Sequence, residues 1–285
     1  MSGDLRVALP NKGRLAEPAV ALMQSAGLEF ELSTRRLSAP VANADVELLF
    51  VRTEDVAEYV ADGLVELGIT GADLMAEHGG ALVSLLPLGF GACSLVLAVP
   101  RERELDGDLT ALSGARIATS FPRVTGRFLE REGIDAQVVE VRGAVEVTPQ
   151  LGVADAVVDL VASGSTLRMN GLRPVATLLA SEAVLIARDG EIPDERVAGL
   201  VDMLRSVIDA RGREYMMMNA PATALARIRE LIPGLSGPTV MPLADPSLIA
   251  VHSVVERSQL WRLVPALKQA GARDILVVPI EKVIR

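Results

Sequence analysis

The sequence predicts an α/β fold: a core of two similar lobes followed by a small module of β-α-β-β-α-β order. Three observations carry this. Short runs rich in Val, Ile and Leu alternate with amphipathic stretches, the pattern of strands joined by crossover helices. The strand–loop–helix pattern begins at Leu5 and restarts at Ala115, as two lobes require. After Arg213 the order changes to strand, helix, two strands, helix and strand, the ferredoxin-like order. The 285 residues suffice for two or three domains with real cores.

In the first lobe, residues 5–9 read as a buried strand ended by Pro10. A loop, Pro10-Asn11-Lys12-Gly13-Arg14, leads to a helix over 15–26 that is stopped by Gly27. Pro18 is tolerated only in a first turn, so the helix proper starts near Glu17. The loop lacks the preceding glycine of a Walker A motif. Lysine occurs three times in the sequence against 25 arginines, so Lys12 is either a phosphate contact or a solvated loop cation. Residues 46–51 form the next strand, followed by Arg52 and a helix over 53–61 with Thr53 as N-cap. Residues 66–70 form a strand ending in Gly71-Ala72-Asp73-Leu74. At the carboxyl end of a parallel strand Asp73 is placed to meet a ligand, or serves equally as a helix N-terminal acid.

Strands over 82–88 and 94–99, separated by Gly89-Phe90-Gly91, mark the crossing to the second lobe. There, 115–119 is a strand, 120–132 a loop and helix stopped by Gly133, and 137–141 another strand. Residues 175–179 and 183–187 carry the chain back to the first lobe. A helix over 194–210 follows, with Val197, Leu200, Val201, Leu204, Val207 and Ile208 on its apolar face. The alternation implies mostly parallel sheets. In the last module, strands are expected at 215–218, 239–243, 248–255 and 275–279, and helices at 222–231 and 258–270. The methionine run 216–218 reads as core strand.

Composition narrows the function. Half the residues are hydrophobic and 23% are charged, which fits a globular protein. A net charge of −9 argues against nucleic acid or an anionic membrane as partner. The single cysteine, Cys93, excludes an internal disulfide framework and suits the cytoplasm. With His78 and His252 as the only histidines, a His/Cys zinc site is not expected. The first six residues lack the layout of a signal peptide, and no apolar run reaches the ~20 residues of a membrane span.

The chemistry concentrates between Glu146 and Leu167. The branched apolar run from Asp155 to Val161 reads as a strand with Asp155, Val157 and Asp159 on one face. Ser163-Gly164-Ser165-Thr166 follows at once. Gly164 permits a sharp turn, and successive N–H groups with three hydroxyls can cradle a phosphate. A helix starting near Thr166 adds its dipole. The same four residues are also ordinary turn chemistry.

Asp159-x-x-x-Ser163-Gly164-x-Thr166 resembles the phosphoribosyltransferase loop that grips the 5-phosphate and ribose hydroxyls of phosphoribosyl pyrophosphate. The longer run, Glu146 to Gly152 with Ala154, Val157, Asp159, Ser163, Gly164, Thr166 and Leu167, resembles the signature of the ATP phosphoribosyltransferase family. So does the opening Pro10 to Leu15, in which the lysine lies at the nucleotide site. One departure stands out: Val158 precedes Asp159 where phosphoribosyltransferases usually carry an adjacent acidic pair, so Asp155 or Glu146 supplies the second carboxylate.

The resemblance covers nearly the whole sequence and implies the long form of the enzyme. The implied architecture is a periplasmic-binding-protein-like core with an ACT-like regulatory domain: lobe I from 1–90 and 182–213, lobe II from 91–181 and the regulatory domain from 214–285. It implies transfer of the phosphoribosyl group from phosphoribosyl pyrophosphate to N1 of ATP, with release of pyrophosphate and with Mg²⁺ as cofactor. That reaction is the first step of L-histidine biosynthesis, in a homo-oligomer (dimer or hexamer) inhibited by L-histidine. The implied roles are phosphate binding by Ser163, Gly164, Ser165, Thr166 and Leu167, and ribose contacts by Glu146, Asp155 and Asp159. Lys12, Arg52 and Asp73 are implied to contact ATP or pyrophosphate, and Asn219, Leu235, Ser236 and Thr239 to bind histidine. Prephenate dehydratase shares such an architecture, but its Thr-Arg-Phe motif is absent, since Gly126 separates Thr125 from Arg127. A non-catalytic solute-binding module does not account for the phosphate loop.

Overall fold

The computed structural model describes residues 4–32, 37–105, 107–162, 164–190 and 195–284. Ser163 and the expected helix start at 194 lie outside the described residues. Strand β1 (Leu5–Pro10) is followed by helix α1 (Ala16–Ser25), β2 (Ser38–Pro40), β3 (Val46–Val51), α2 (Val56–Ala61), β4 (Leu67–Gly71), α3 (Ala72–His78) and β5 (Leu82–Pro87). The short β2 has no apolar run to announce it. Thr53, expected as a cap, lies in the turn before α2. Asp55 holds the cap position without a side-chain hydrogen bond, and Thr53 Oγ1 donates instead to Lys12 O at 3.5 Å.

The chain then crosses to β6 (Cys93–Pro100), β7 (Arg116–Thr119), α4 (Pro122–Glu132), β8 (Gln137–Glu140), β9 (Ala156–Val161), α5 (Ser165–Met169) and β10 (Leu172–Ser181). It returns in β11 (Ala183–Arg188) and continues into α6 (Glu195–Ala210). The sheet orders are β2-β3-β1-β4-β11-β5 and β10-β6-β9-β7-β8. Stripped of β2, the two follow one plan. The triplet β3-β1-β4 is parallel, as is β8-β7-β9, and an antiparallel strand, β11 or β6, follows the third member.

This plan corrects two expectations. The sheets are mixed, not mostly parallel, because the first strand laid down after each crossover runs against the triplet it joins. A strand buried on both faces reads as the same apolar run in either direction, so sequence could not separate the cases. Of the two strands expected to return to the first lobe, only β11 does. Strand β10 pairs with β6 in the second sheet.

Helix α3 belongs to two cores. Its Ala72 and Met75 pack against the cluster of Ala8, Val56, Val60 and Ile186, whereas Leu74 and Ala76 pack against the cluster containing Leu95, Leu97 and Ile117 of the second sheet. The carboxylate of Glu77 accepts from the N–H groups of Arg123 and Val124 at 2.8 and 2.9 Å, so α3 supplies the N-terminal cap that α4 lacks locally. Arg127 Nη2 donates to Ala76 O at 2.7 Å.

The last module comprises β12 (Arg213–Pro221), α7 (Leu225–Leu231), β13 (Thr239–Pro242), β14 (Leu248–Glu256), α8 (Leu260–Gln269) and β15 (Arg273–Pro279). Its antiparallel order β13-β14-β12-β15 is the ferredoxin-like arrangement that the element order predicts. Met216 and Met218 enter the core with Val251, Leu263 and Leu267, and the intervening Met217 faces the other way. By packing, the chain divides into residues 1–24 with 28–198 and residues 25–27 with 199–285. Among the described residues no helix is long and apolar enough to cross a membrane.

Candidate active site

Ligands of open α/β sheets bind beyond the carboxyl ends of the parallel strands. In the first sheet, β1 and β3 end together, with Pro10 opposite Val51. Lys12 and Arg52, both exposed, therefore leave the sheet side by side. Asn11 N donates to Val51 O at 2.8 Å, which ties the two exits to each other. Two adjacent cations at one sheet edge suit an anion with several phosphates. Asp73 leaves the neighbouring β4 and takes the place of a helix N-terminal acid. Its side chain is 1% exposed, in the first turn of α3, with Oδ1 accepting from Ser181 Oγ at 2.5 Å and Oδ2 3.9 Å from Arg14 Nη2.

In the second sheet, β9 carries Asp159 near its carboxyl end. Asp159 is half-buried and accepts from Leu160 N at 2.8 Å. Burial pushes its carboxyl up, the Leu160 amide pulls it down, and the charge of Glu146 pushes it further up. Glu146 sits in a 3-10 turn over Val145–Val147. Of the two candidate partners, Glu146 is the one whose charge bears on Asp159. Asp155 is set apart from it along the strand. It lies just before the opposite, amino end of β9, roughly 13 Å away by the rise of a strand. There it accepts from Arg116 N at 2.8 Å and Arg116 Nε at 3.2 Å through Oδ2, and from Arg116 Nη2 at 3.1 Å through Oδ1. These bonds hold its carboxyl below the usual range.

After β9 the chain turns through Gly164, in the left-handed region at φ 71°. A Cβ there would be strained and would lie 3.1 Å from Arg168 Nη1. Helix α5 then begins at Ser165, one residue earlier than expected. Ser165 and Thr166 are exposed and Leu167 is buried among Val96, Val157 and Leu172. Leu167 therefore anchors the loop while Ser165 and Thr166 stay at the surface. Gln150 Nε2 donates to Asn170 O at 3.1 Å, which ties the 146–152 segment to the end of α5.

In the last module, Thr239 opens β13 opposite His252, which is itself opposite Met217. Strand periodicity puts Asn219 on the same face as Thr239 and Met217, away from the helices. Leu235 and Ser236 lie in the connection that leads into β13. Asn219 Nδ2 donates to Asp274 Oδ2 at 3.1 Å, so the negative charge on this face comes from β15. Sequence reasoning missed Asp274, Arg14, Glu77 and Ser181. Each acts across long chain separations and carries no local motif.

Among the described residues no group of three or more His, Cys, Asp and Glu side chains could hold a metal ion. Glu146 and Asp159, two carboxylates whose charges oppose each other, suit a divalent cation that brings further oxygen ligands with it.

The chain matches the ATP phosphoribosyltransferase family model over residues 52–206 and the model of the HisG C-terminal domain over residues 210–282. It is 42% identical over 287 residues to an ATP phosphoribosyltransferase of Methanosarcina barkeri, covering 98% of this chain and 99% of the relative. It is 45% identical over 284 residues to that of Natronomonas pharaonis, covering 98% and 100%. Among solved structures, the HisG:HisZ ATP phosphoribosyl transferase complex of Thermotoga maritima is similar over 72% of this chain and 98% of that one, with 28% identity and a TM-score of 0.63.

Proposed function

The chain belongs to the ATP phosphoribosyltransferase family, pentosyltransferases of the first step of histidine biosynthesis, and we propose that it transfers the 5-phosphoribosyl group of phosphoribosyl pyrophosphate to N1 of ATP. The products are N1-(5-phospho-β-D-ribosyl)-ATP and pyrophosphate. The observation that carries this reading is the meeting, at one sheet end, of Asp159 under the charge of Glu146 with an exposed hydroxyl loop.

Ser165, Thr166 and the backbone at Gly164 bind the 5-phosphate, with Ser163 assigned to the same cradle from sequence. Asp159 and Glu146 accept the ribose hydroxyls and stabilise the positive charge that develops at the anomeric carbon as the bond to pyrophosphate breaks. Lys12 and Arg52 neutralise the phosphates of ATP or of the leaving group. N1 of adenine is already a nucleophile, so orientation and charge stabilisation are the chain's main contributions. Mg²⁺, when bound, adds positive charge to the leaving pyrophosphate, and Asp159 and Glu146 are the residues to hold it. The reaction runs in the cytoplasm, in a homo-oligomer.

Residues 214–285 form the regulatory part. L-Histidine binds there, with Leu235, Ser236 and Thr239 at its carboxylate side and Asn219 with Asp274 at its cationic side. Coupling of roughly 1–3 kcal/mol between the sites gives a 5–150-fold effect.

The test is pyrophosphate release on mixing phosphoribosyl pyrophosphate with ATP, with GTP and prephenate as controls. Release only with ATP supports the reading, and release with GTP alone, or none, overturns it. Titrating histidine against the initial rate of the chain and of its Ser236→Ala/Thr239→Ala variant tests the regulatory part. Equal sensitivity in both moves histidine elsewhere.

A further inference from the structure

Because the two sheets share one plan, the loop after β4 and the loop after β9 stand at equivalent places, each following the third strand of its parallel triplet. They are built in opposite ways. The β9 loop keeps Ser165 and Thr166 open to solvent. The β4 loop closes on its own acid. Asp73 N donates to Ser181 Oγ at 3.0 Å, and that hydroxyl donates back to Asp73 Oδ1 at 2.5 Å. A Cβ at Gly71 would lie 2.1 Å from Oδ1, so the carboxylate occupies the space a side chain at 71 would take.

The partners of Asp73 are what give it meaning. Ser181 ends β10, just before the return crossover to β11. At that crossover Ala72 N donates to Glu182 O at 2.9 Å, and Glu182 Oε2 accepts from Gly89 N at 2.9 Å on the outgoing crossover. Arg14, on the other side of Asp73, belongs to the loop that carries Lys12. Its Nη1 also donates to Gly91 O. Leu15 packs so closely on the same crossover that a Cβ at Gly91 would lie 2.2 Å from its Cδ2. The Lys12 loop therefore rests on both chain crossovers between the sheets, with one desolvated carboxylate at the joint. A carboxylate removed from water is tolerated only when hydrogen-bonded or paired, so this one holds its partners in place.

We propose that Asp73 is a positioning residue for the nucleotide, fixing the 11–15 loop and Lys12 to the crossovers through Ser181 and Arg14. The role rests on Lys12 as a phosphate contact, and it differs from direct binding in that Asp73 touches no ligand. A shift at either crossover is carried to Lys12 through this joint, which links lobe movement to nucleotide affinity.

The test uses the full chain and the variants Asp73→Asn, Gly71→Ala and Lys12→Met. Gly71 has φ −80° and ψ 144°, which alanine adopts freely, so Gly71→Ala displaces the carboxylate without removing it. Amide hydrogen exchange over residues 11–15 and over the 164–170 loop is read alongside the KM of each substrate. Asp73→Asn and Gly71→Ala are both expected to speed exchange in the 11–15 loop alone. Both should raise the KM for ATP about tenfold, leaving that for phosphoribosyl pyrophosphate within about twofold. Unchanged exchange at 11–15, or an equal rise in both KM values, overturns the positioning role. If Lys12→Met leaves ATP binding unaltered, the nucleotide reading of the loop fails. The positioning role then fails with it, whatever exchange reports.

Discussion

The two ends of β9 carry acids of the same type in opposite circumstances. At the amino end, Asp155 is held by the backbone amide and guanidinium of Arg116, which joins the starts of β7 and β9 and lowers its pKa. At the carboxyl end, Asp159 is half-buried, accepts one amide and faces the charge of Glu146, and its pKa is raised. The first acid is neutralised by its own fold and so contributes stability. The second meets a like charge, and among the described residues no ion pair offsets it. Strained charge of that kind persists where chemistry uses it, and its position at the ligand-binding end of the sheet fits that rule.

The largest expected effect breaks the comparison at its functional end. Asp159→Asn should lower kcat about a hundredfold or more, with little change in the KM for phosphoribosyl pyrophosphate, because its charge matters most as the ribose becomes cationic. The same variant should unfold at a higher temperature than the parent, since it removes a desolvated charge facing Glu146. A variant with full kcat removes Asp159 from the machinery. A smaller effect sharpens the picture of the adjoining loop. Thr166→Ala should weaken phosphoribosyl pyrophosphate binding about ten- to a hundredfold, the value of a hydroxyl hydrogen bond to a charged group. ATP binding alone should hold, and calorimetry showing equal losses for both ligands would end this division of labour.

Much of this contrast was legible in the sequence, and the limits have physical causes. The strand at 155–161 and the turn after it follow from branched apolar residues and Gly164, both local signals. The β-α-β-β-α-β order of the last module was readable for the same reason. Periodicity, however, put Asp155 and Asp159 on one face without saying which end of the strand meets the ligand. What separates them is Arg116, brought alongside by strand pairing. Strand direction was equally hidden, so β6 and β11 read like their parallel neighbours. Asp73 carried two readings in sequence, and its burial against Ser181, over a hundred residues away, left no local signal that could weigh them.

At the structural end of β9 the effects are smaller. Asp155→Asn should cost about 1 kcal/mol of stability, because the pair with Arg116 is partly exposed and screened by solvent. Its kcat should match the parent, and urea unfolding beside steady-state rates checks both. A loss of activity without loss of stability would return Asp155 to the ribose site.

The smallest effect, and the one that tests the comparison most directly, is the dependence of stability on pH. Asp155 has a folded pKa below its unfolded value of about 3.9. Its stabilisation is therefore fully present above about 3.9 and is lost as pH falls through the lowered folded value. Asp159 has a folded pKa above the same unfolded value. Its contribution is most favourable below about 3.9 and is lost as pH rises through the raised folded value. The two windows meet near 3.9 and do not overlap. Urea midpoints at close pH intervals should thus show Asp155→Asn diverging downward from the parent only as pH climbs toward about 3.9, and holding that gap above it. Asp159→Asn should diverge upward only above about 3.9 and level off once the parent's carboxyl is fully ionised. Parallel curves for the parent and Asp159→Asn across that range would mean that Asp159 titrates as an ordinary acid, and the contrast between the two ends of β9 would not stand.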